Sequence, residues 1–337
     1  MLERRHVAYA GVRKVGRLVV RRGENPPAIV HQTMHEGKQK NSRWLIYFDT
    51  SLWNALCDQA VDAERLIIEL AEQDFQIGLG TNAVYEMAKT FRMDKPDARE
   101  RGKELFAYVK QYTDRAIPCL RETRDLLERE AAHAVGDATG VEVHWKDEEY
   151  AALREEIKKL ADGVFDEKAT RFVSRRKMTA RNVPDEFRDH LSARPDLCRI
   201  LEKIPEKELP RWIQRELSGT RGRRALQGHL ALVFRRKPDR QLTHLAKRLL
   251  AGARYKAAHA VVRSDLYLNW RYAQRGSLRR DLPDDTYHGV NACYCESFVT
   301  TEADQAEHVA YTNPRMVTAV YTGAAPLGSW LTQVIVS

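Results

Sequence analysis

Trp44-Leu45-Ile46-Tyr47-Phe48 is an unbroken apolar run with no polar residue alternating through it, and Asp49-Thr50-Ser51 ends it. A strand with one face in water alternates. An uninterrupted run of this length therefore predicts a strand buried on both faces, as inside a parallel sheet. The capping chemistry that follows predicts a direct passage into a helix, from about Leu52 to about Gln73. Phe75 to Gly80 reads as a second short strand, Thr81 as an N-cap, and Asn82 to Phe91 as a helix. Strand, helix, strand, helix is the order of an α/β sheet.

The same order returns at the far end of the chain. Leu282-Pro283-Asp284-Asp285 precedes a small-residue helix, Tyr287 to Tyr294, and both Ser297 to Thr300 and Val317 to Tyr321 read as strands. From about Asp97 to about Ala273 the pattern is almost wholly helical, with breaks at Pro184, Pro195, Pro205, Pro210 and Pro238. This predicts a lead-in over 1–42, with a strand-like piece and little chemistry, then a sheet domain in two parts, 43–96 and 275–337, interrupted by a helical insertion over 97–274.

Charge separates the insertion from the rest. The 337 residues carry 56 Lys and Arg against 47 Asp and Glu, a net charge of +9. Between Arg171 and Arg254 there are 22 basic against nine acidic residues, so the remainder is mildly acidic. The basic runs are Arg175-Arg176-Lys177, Arg221-Gly222-Arg223-Arg224 and Arg235-Arg236-Lys237, set among apolar residues at helical spacing. One such run is often a solvated face. A whole basic segment inside an acidic remainder favours a nucleic-acid partner, gripped through its phosphates. No stretch has the ~18 consecutive apolar residues of a membrane span, and Met1 to Arg22 lacks the apolar core of a secretory signal. A cytoplasmic protein without a membrane partner is expected. The five cysteines lack paired CxxC spacing and read as reduced and structural.

In open parallel sheets the working crevice lies beyond the carboxyl ends of the strands, so acidic residues that follow strand runs deserve collecting. Asp49 follows the first strand, Glu86 lies in the helix after the second, Asp285 opens a later helix, and Glu302 and Asp304 follow Ser297 to Thr300. Taken singly, Asp49 and Asp285 are also good N-caps, Glu86 a helix-surface residue, and Glu302 and Asp304 turn residues. Taken together, on adjacent strands, they would repel one another. The usual compensation is a hard divalent cation, Mg²⁺ or Mn²⁺. Such an ion supplies hydroxide from bound water and offsets charge on a phosphate under attack.

The strings Ile46-Tyr47-Phe48-Asp49-Thr50-Ser51, Thr81-Asn82-Ala83-Val84-Tyr85-Glu86, Asp285-Thr286-Tyr287-His288 and Cys295-Glu296-Ser297-Phe298-Val299-Thr300-Thr301-Glu302 together resemble the successive motifs of the PIN-like family of metal-dependent nucleases. The resemblance covers about residues 43–95 and 275–334 and leaves the insertion unmatched. It implies a three-layer α/β/α fold with a central parallel sheet, an acidic site for Mg²⁺ or Mn²⁺, and cleavage of RNA or, in some members, DNA. By that likeness Asp49, Glu86, Asp285 and Glu302 take the four catalytic and metal-holding positions, with Asp304 a fifth metal candidate and Thr300 the hydroxyl ending the strand. Glu302 departs from the family, where Asp or Asn is usual.

His288 is one turn beyond Asp285 and is a candidate to orient water or phosphate, against the commoner reading of a buried histidine. Tyr267, Trp270 and Tyr272 read as a core stripe rather than a base-stacking platform. The expected function is a metal-dependent endoribonuclease whose basic insertion grips nucleic acid, RNA favoured over DNA only by family habit. The rivals are a DNA-directed nuclease, a non-catalytic nucleic-acid binder with a degenerate acidic pocket, and a docking surface for an acidic protein inhibitor or antitoxin.

Overall fold

A computed structural model describes residues 12–15, 18–21, 43–93, 95–165, 193–276, 282–323 and 325–336, with side chains for all of these except 12–15, 18–21, 282–285, 332 and 334–336. The basic run Arg175-Arg176-Lys177 lies outside the described residues. In chain order the strands are β1 (Val12–Val15), β2 (Leu18–Arg21), β3 (Trp44–Phe48), β4 (Phe75–Gly80), β5 (Cys119–Leu120), β6 (Ser297–Thr300) and β7 (Val317–Val320). They form one sheet in the order β1-β2-β7-β6-β3-β4-β5. The five strands from β7 to β5 are all parallel, and the β1–β2 hairpin adds antiparallel to the β7 edge.

The uninterrupted apolar run of β3 is explained by its central place. Ile46 and Phe48 point into a cluster with Leu52, Trp53, Leu66 and Leu79 on one face, whereas Tyr47, by the alternation of a strand, points to the other face with Phe298, Ala292 and Val309. Helices thus cover both faces of the parallel sheet. Those that follow β3 and β4 are α1 (Thr50–Asp58), α2 (Ala63–Ala71) and α3 (Thr81–Met87).

Two expectations about boundaries differ from the structure. The helix expected over Leu52 to Gln73 is two helices: α1 ends at Asp58, Ala60 takes a left-handed conformation (φ 47°), and Asp62 caps α2 by accepting from Arg65 N at 3.0 Å. The insertion also starts later than expected. Helix α4 (Pro96–Thr113) and, after α5 (Thr123–Val135), helix α6 (Asp147–Ala161) send Leu105, Phe106, Val109, Leu153, Ile157 and Leu160 into the core of the sheet, and β5 extends the sheet beside β4. Their outward faces are charged, so from sequence they look like the helices that follow.

The helical unit proper comprises α7 (Pro195–Glu202), α8 (Leu209–Ser218), α9 (Thr220–Val233), α10 (Arg240–Ala251) and α11 (Lys256–Arg275), which share a second core with α5. The long α11 joins this unit to the sheet by packing on α12 (Leu282–Asn291) and α13 (Ala303–Thr312); α14 (Leu327–Val336) closes the described chain. Within α11, Tyr267 and Trp270 are buried, as the core reading expects: Tyr267 stacks on His308 and Tyr311, and Trp270 Nε1 donates to Ile204 O at 2.9 Å. The five cysteines are free thiols, and Cys293 and Cys295 are buried. No helix among the described residues is long and apolar enough to cross a membrane.

Candidate active site

Strands β6, β3 and β4 are neighbours with their carboxyl ends on the same edge, and that edge gathers the polar residues that follow them. Asp49 leaves β3 beside Val299, held by Asp49 N donating to Val299 O at 3.2 Å. Its carboxylate is 2% exposed and does four things at once. Oδ1 accepts from Leu52 N at 2.8 Å and so caps α1; Oδ2 accepts from Thr300 Oγ1 at 2.6 Å; and the Ser51 hydroxyl lies 2.9 and 2.8 Å from the two oxygens. Burial nevertheless dominates, pushing the carboxyl up to about 6 from its ordinary 3.8 against the opposing pull of His288 and these hydrogen bonds.

Thr300 and Ser51 tie β6 to β3. Thr300 Oγ1 accepts from Glu302 N at 3.0 Å while donating to Asp49, and Ser51 Oγ accepts from Thr301 N at 3.0 Å. The hydroxyl pair thereby fixes the turn that presents Glu302, which stands at the N-cap position of α13 and makes no side-chain cap there.

Glu86 comes from α3, on the β4 side. Its Oε2 accepts from Thr50 Oγ1 at 2.7 Å and lies 3.0 Å from His288 Nε2, and its Oε1 is 3.6 Å from Lys89 Nζ. His288, on α12, is 1% exposed, and its Nδ1 lies 2.8 Å from the Tyr47 hydroxyl. A chain of contacts therefore runs Tyr47–His288–Glu86–Thr50 next to the Ser51–Asp49–Thr300 group. Asp285 lies in the first turn of α12; its side chain lies outside the described residues.

Asp304 has a different partner. Its Oδ2 pairs with Arg271 Nη2 at 3.0 Å, and Arg271, 3% exposed, also donates to the Tyr267 hydroxyl at 2.7 Å, which donates in turn to Glu307 at 3.0 Å. The structure thus places Asp49 with Thr300 and Glu86 with His288 in two adjacent hydrogen-bonded groups, sets Glu302 beside them, and gives Asp304 a buried guanidinium from α11. Among the described residues no three His, Cys, Asp or Glu side chains are arranged to hold a metal ion.

Several members of this cluster carry no sequence signal of their own. Tyr47 is hidden inside an apolar run, and Thr50 and Ser51 look like capping residues. Asn82, in the first turn of α3, is four residues before Glu86, hence on the same side of that helix, and its Nδ2 is buried without a hydrogen-bond partner. That unused donor suits an anion. Arg271 is visible only once α11 is packed against α13.

Compared with models of known protein families, with curated proteins and with solved structures, the chain matches none.

Proposed function

We propose that the protein is a metal-dependent endoribonuclease of PIN-like architecture, with its acidic site at the carboxyl edge of β6, β3 and β4 and its basic helices gripping the substrate. The observation that carries the reading is the adjacency of these strands, which sets two hydrogen-bonded groups side by side, Asp49 with Ser51 and Thr300, and Glu86 with Thr50 and His288, joined through the consecutive residues Thr50 and Ser51. The cluster pairs carboxylates with hydroxyls and an imidazole, and it is flanked by an unpartnered donor, Asn82 Nδ2.

By chemistry alone the carboxylates of Asp49, Glu86 and Glu302 are hard oxygen ligands of the kind that Mg²⁺ or Mn²⁺ takes, and Asp285 adds a fourth acid in the first turn of α12, although no three of the described acids stand together as a ready-made metal site. Burial is what raises the Asp49 carboxyl, and a divalent cation at its oxygens would offset that cost to the anion. When bound, the ion would lower the pKa of water and offset charge on the scissile phosphate. The chain's own residues do the rest: Ser51 and Thr300 orient Asp49, Thr50 and His288 orient Glu86, and Asn82 Nδ2, one helical turn before Glu86 and without a partner, is a donor free to take a phosphate oxygen. RNA ranks above DNA by the family resemblance alone.

A second reading has an observation in its favour. Both Asp49 oxygens are already engaged by Ser51, Thr300 and Leu52 N, and Asp304 is neutralised by Arg271. A non-catalytic nucleic-acid binder would keep such a self-satisfied pocket. Cleavage of labelled single-stranded RNA, duplex RNA and single-stranded DNA with Mn²⁺ or Mg²⁺ separates the two. Metal-dependent cutting lost in Asp49→Asn and Glu86→Gln, with binding retained, establishes the nuclease; equal binding and no cutting by wild type establishes the binder.

A further inference from the structure

We propose that the α9–α10 hairpin is a sequence-blind grip for the phosphate backbone of a nucleic-acid strand, in which the outer face of α10 continues the Phe234–Lys237 tip. This rests on the reading that the protein acts on nucleic acid, and its own test needs no cleavage.

Residues 220–251 contain nine Arg and Lys and one acid, Asp239. The hairpin's orientation is fixed by its apolar side, where Leu226, Leu230, Leu242, Ala246 and Leu249 are buried in the helical core. Its basic side is thereby turned outward. Asp239, the sole acid, caps α10 by accepting from Leu242 N at 2.7 Å, and it is 3.8 Å from Arg236 Nε. Arg221 pairs with Glu216 at 3.0 Å. Arg224, Arg235, Lys237, Arg240, Lys247 and Arg248 are not within ion-pair distance of a carboxylate among the described residues, and all are exposed.

Three further features define the partner. Seven of the nine cations are arginines, whose planar fork matches phosphate oxygens in pairs, whereas an anionic membrane surface draws lysine and arginine alike. Arg240, Lys247 and Arg248 recur at helical spacing along the exposed side of α10, so the charge forms a stripe that a strand can follow. Phe234, 39% exposed at the tip, offers a ring beside that stripe for an unpaired base.

Arg235 makes the test clean. It sits just past the end of α9 with φ 51°, in a turn closed by Arg236 N donating to Ala231 O at 3.0 Å, a position where glycine is least strained. Arg235→Gly therefore removes a guanidinium while relaxing the backbone, and it is expected to keep or raise the thermal midpoint.

The experiment is fluorescence anisotropy of a labelled single-stranded RNA of mixed sequence in EDTA, from 50 to 200 mM salt, by roughly the conditions in which counterion release is resolved. Wild type is expected to bind with an affinity that falls steeply with salt. Arg235→Gly and the double variant Lys247→Gln/Arg248→Gln are expected to weaken binding by roughly 3- to 10-fold at low salt and to flatten the salt slope by about 0.7 per charge removed, while Arg65→Gln on α2 leaves both unchanged. Hairpin variants that bind as wild type overturn the proposal, and they do so even if the protein cleaves RNA. Capture by anionic phospholipid vesicles or by polyglutamate that RNA fails to displace also overturns it. Loss of binding in the hairpin variants with no cleavage by wild type upholds the grip and removes the nuclease.

Discussion

The Tyr47 hydroxyl lies 2.8 Å from His288 Nδ1, and on the other side of the ring His288 Nε2 lies 3.0 Å from Glu86 Oε2. Tyr47 is fully buried, and burial with Glu86 and Asp49 nearby holds its phenol well above the ordinary value. It therefore keeps its proton and has His288 to donate it to. While the imidazole is neutral, that bond makes Nδ1 an acceptor and places the ring hydrogen on Nε2, facing the carboxylate. A tyrosine on the central strand thus sets the tautomer of a histidine on a helix 241 positions away and, through it, the orientation of Glu86.

Nitrogen NMR of the imidazole is expected to find His288 in the Nε2–H form. Tyr47→Phe keeps the ring but removes the donor, so the tautomer should become mixed. The orientation of Glu86 loosens with it, and if the site holds a divalent cation as proposed, Mn²⁺ affinity should fall about 10-fold, the usual effect of losing an outer partner of a ligand. Finding the Nδ1–H form in wild type would remove this role from Tyr47.

The approach of Tyr47 to β4 depends on a glycine. A Cβ on Gly80 would stand 2.3 Å from the Tyr47 ring and hydroxyl, inside any allowed contact. Gly80→Ala should therefore destabilise the protein by ~2 kcal/mol through overpacking of a rigid ring. Urea unfolding with an unchanged m-value checks it; an unshifted midpoint would mean that the ring moves aside freely.

What could be read beforehand follows from range. Trp44–Phe48 and Ser297–Thr300 are legible because a strand buried on both faces leaves no alternation, and the acids behind them are legible because strand ends face the crevice. The break between α1 and α2 is not, since Leu52, Leu56, Leu66 and Leu70 carry on an apolar helical rhythm across it and only Asp62 marks the new start. Strand β5 is two residues long and falls below any periodic signal. The partners of the acidic residues are the least legible. Arg271 is 33 positions from Asp304, and nothing in either neighbourhood announces that they meet.

Glu130 stitches the helical unit to the sheet side. This carboxylate on α5 is fully buried, accepts from Ala257 N and Ala258 N at the start of α11 at 2.7 and 2.8 Å, and accepts from the Tyr294 hydroxyl at 2.5 Å. Burial raises it from 4.5 to about 7, with the Tyr294 bond the largest opposing influence. Removing that hydroxyl in Tyr294→Phe leaves the anion worse off by about 1–2 kcal/mol and the neutral acid nearly unaffected. Since the folded value lies above the unfolded one, Glu130 lends its stability at low pH and withdraws it as pH rises through about 7. The variant should match wild type near pH 5 and fall behind it above neutrality, and thermal midpoints across that range decide the matter.

Asp49 follows the same sign, again through burial. Its folded value of about 6 lies above the ordinary 3.8, so the folded state holds the proton more tightly than the unfolded chain. The resulting stabilisation is complete below pH 3.8 and is gone above pH 6, a cost of about 3 kcal/mol for keeping the buried anion at neutral pH. Asp49→Asn cannot ionise, so it should be more stable than wild type at pH 8 and should lose that lead as the pH is lowered through this window. The amide still accepts from Leu52 N, which keeps the α1 cap. If the site holds a divalent cation, Mn²⁺ should raise the wild-type midpoint at pH 8 and leave that of Asp49→Asn in place. Parallel pH profiles for the two proteins would show that the Asp49 charge is already compensated within the fold, and the acidic edge would then have no use for a metal.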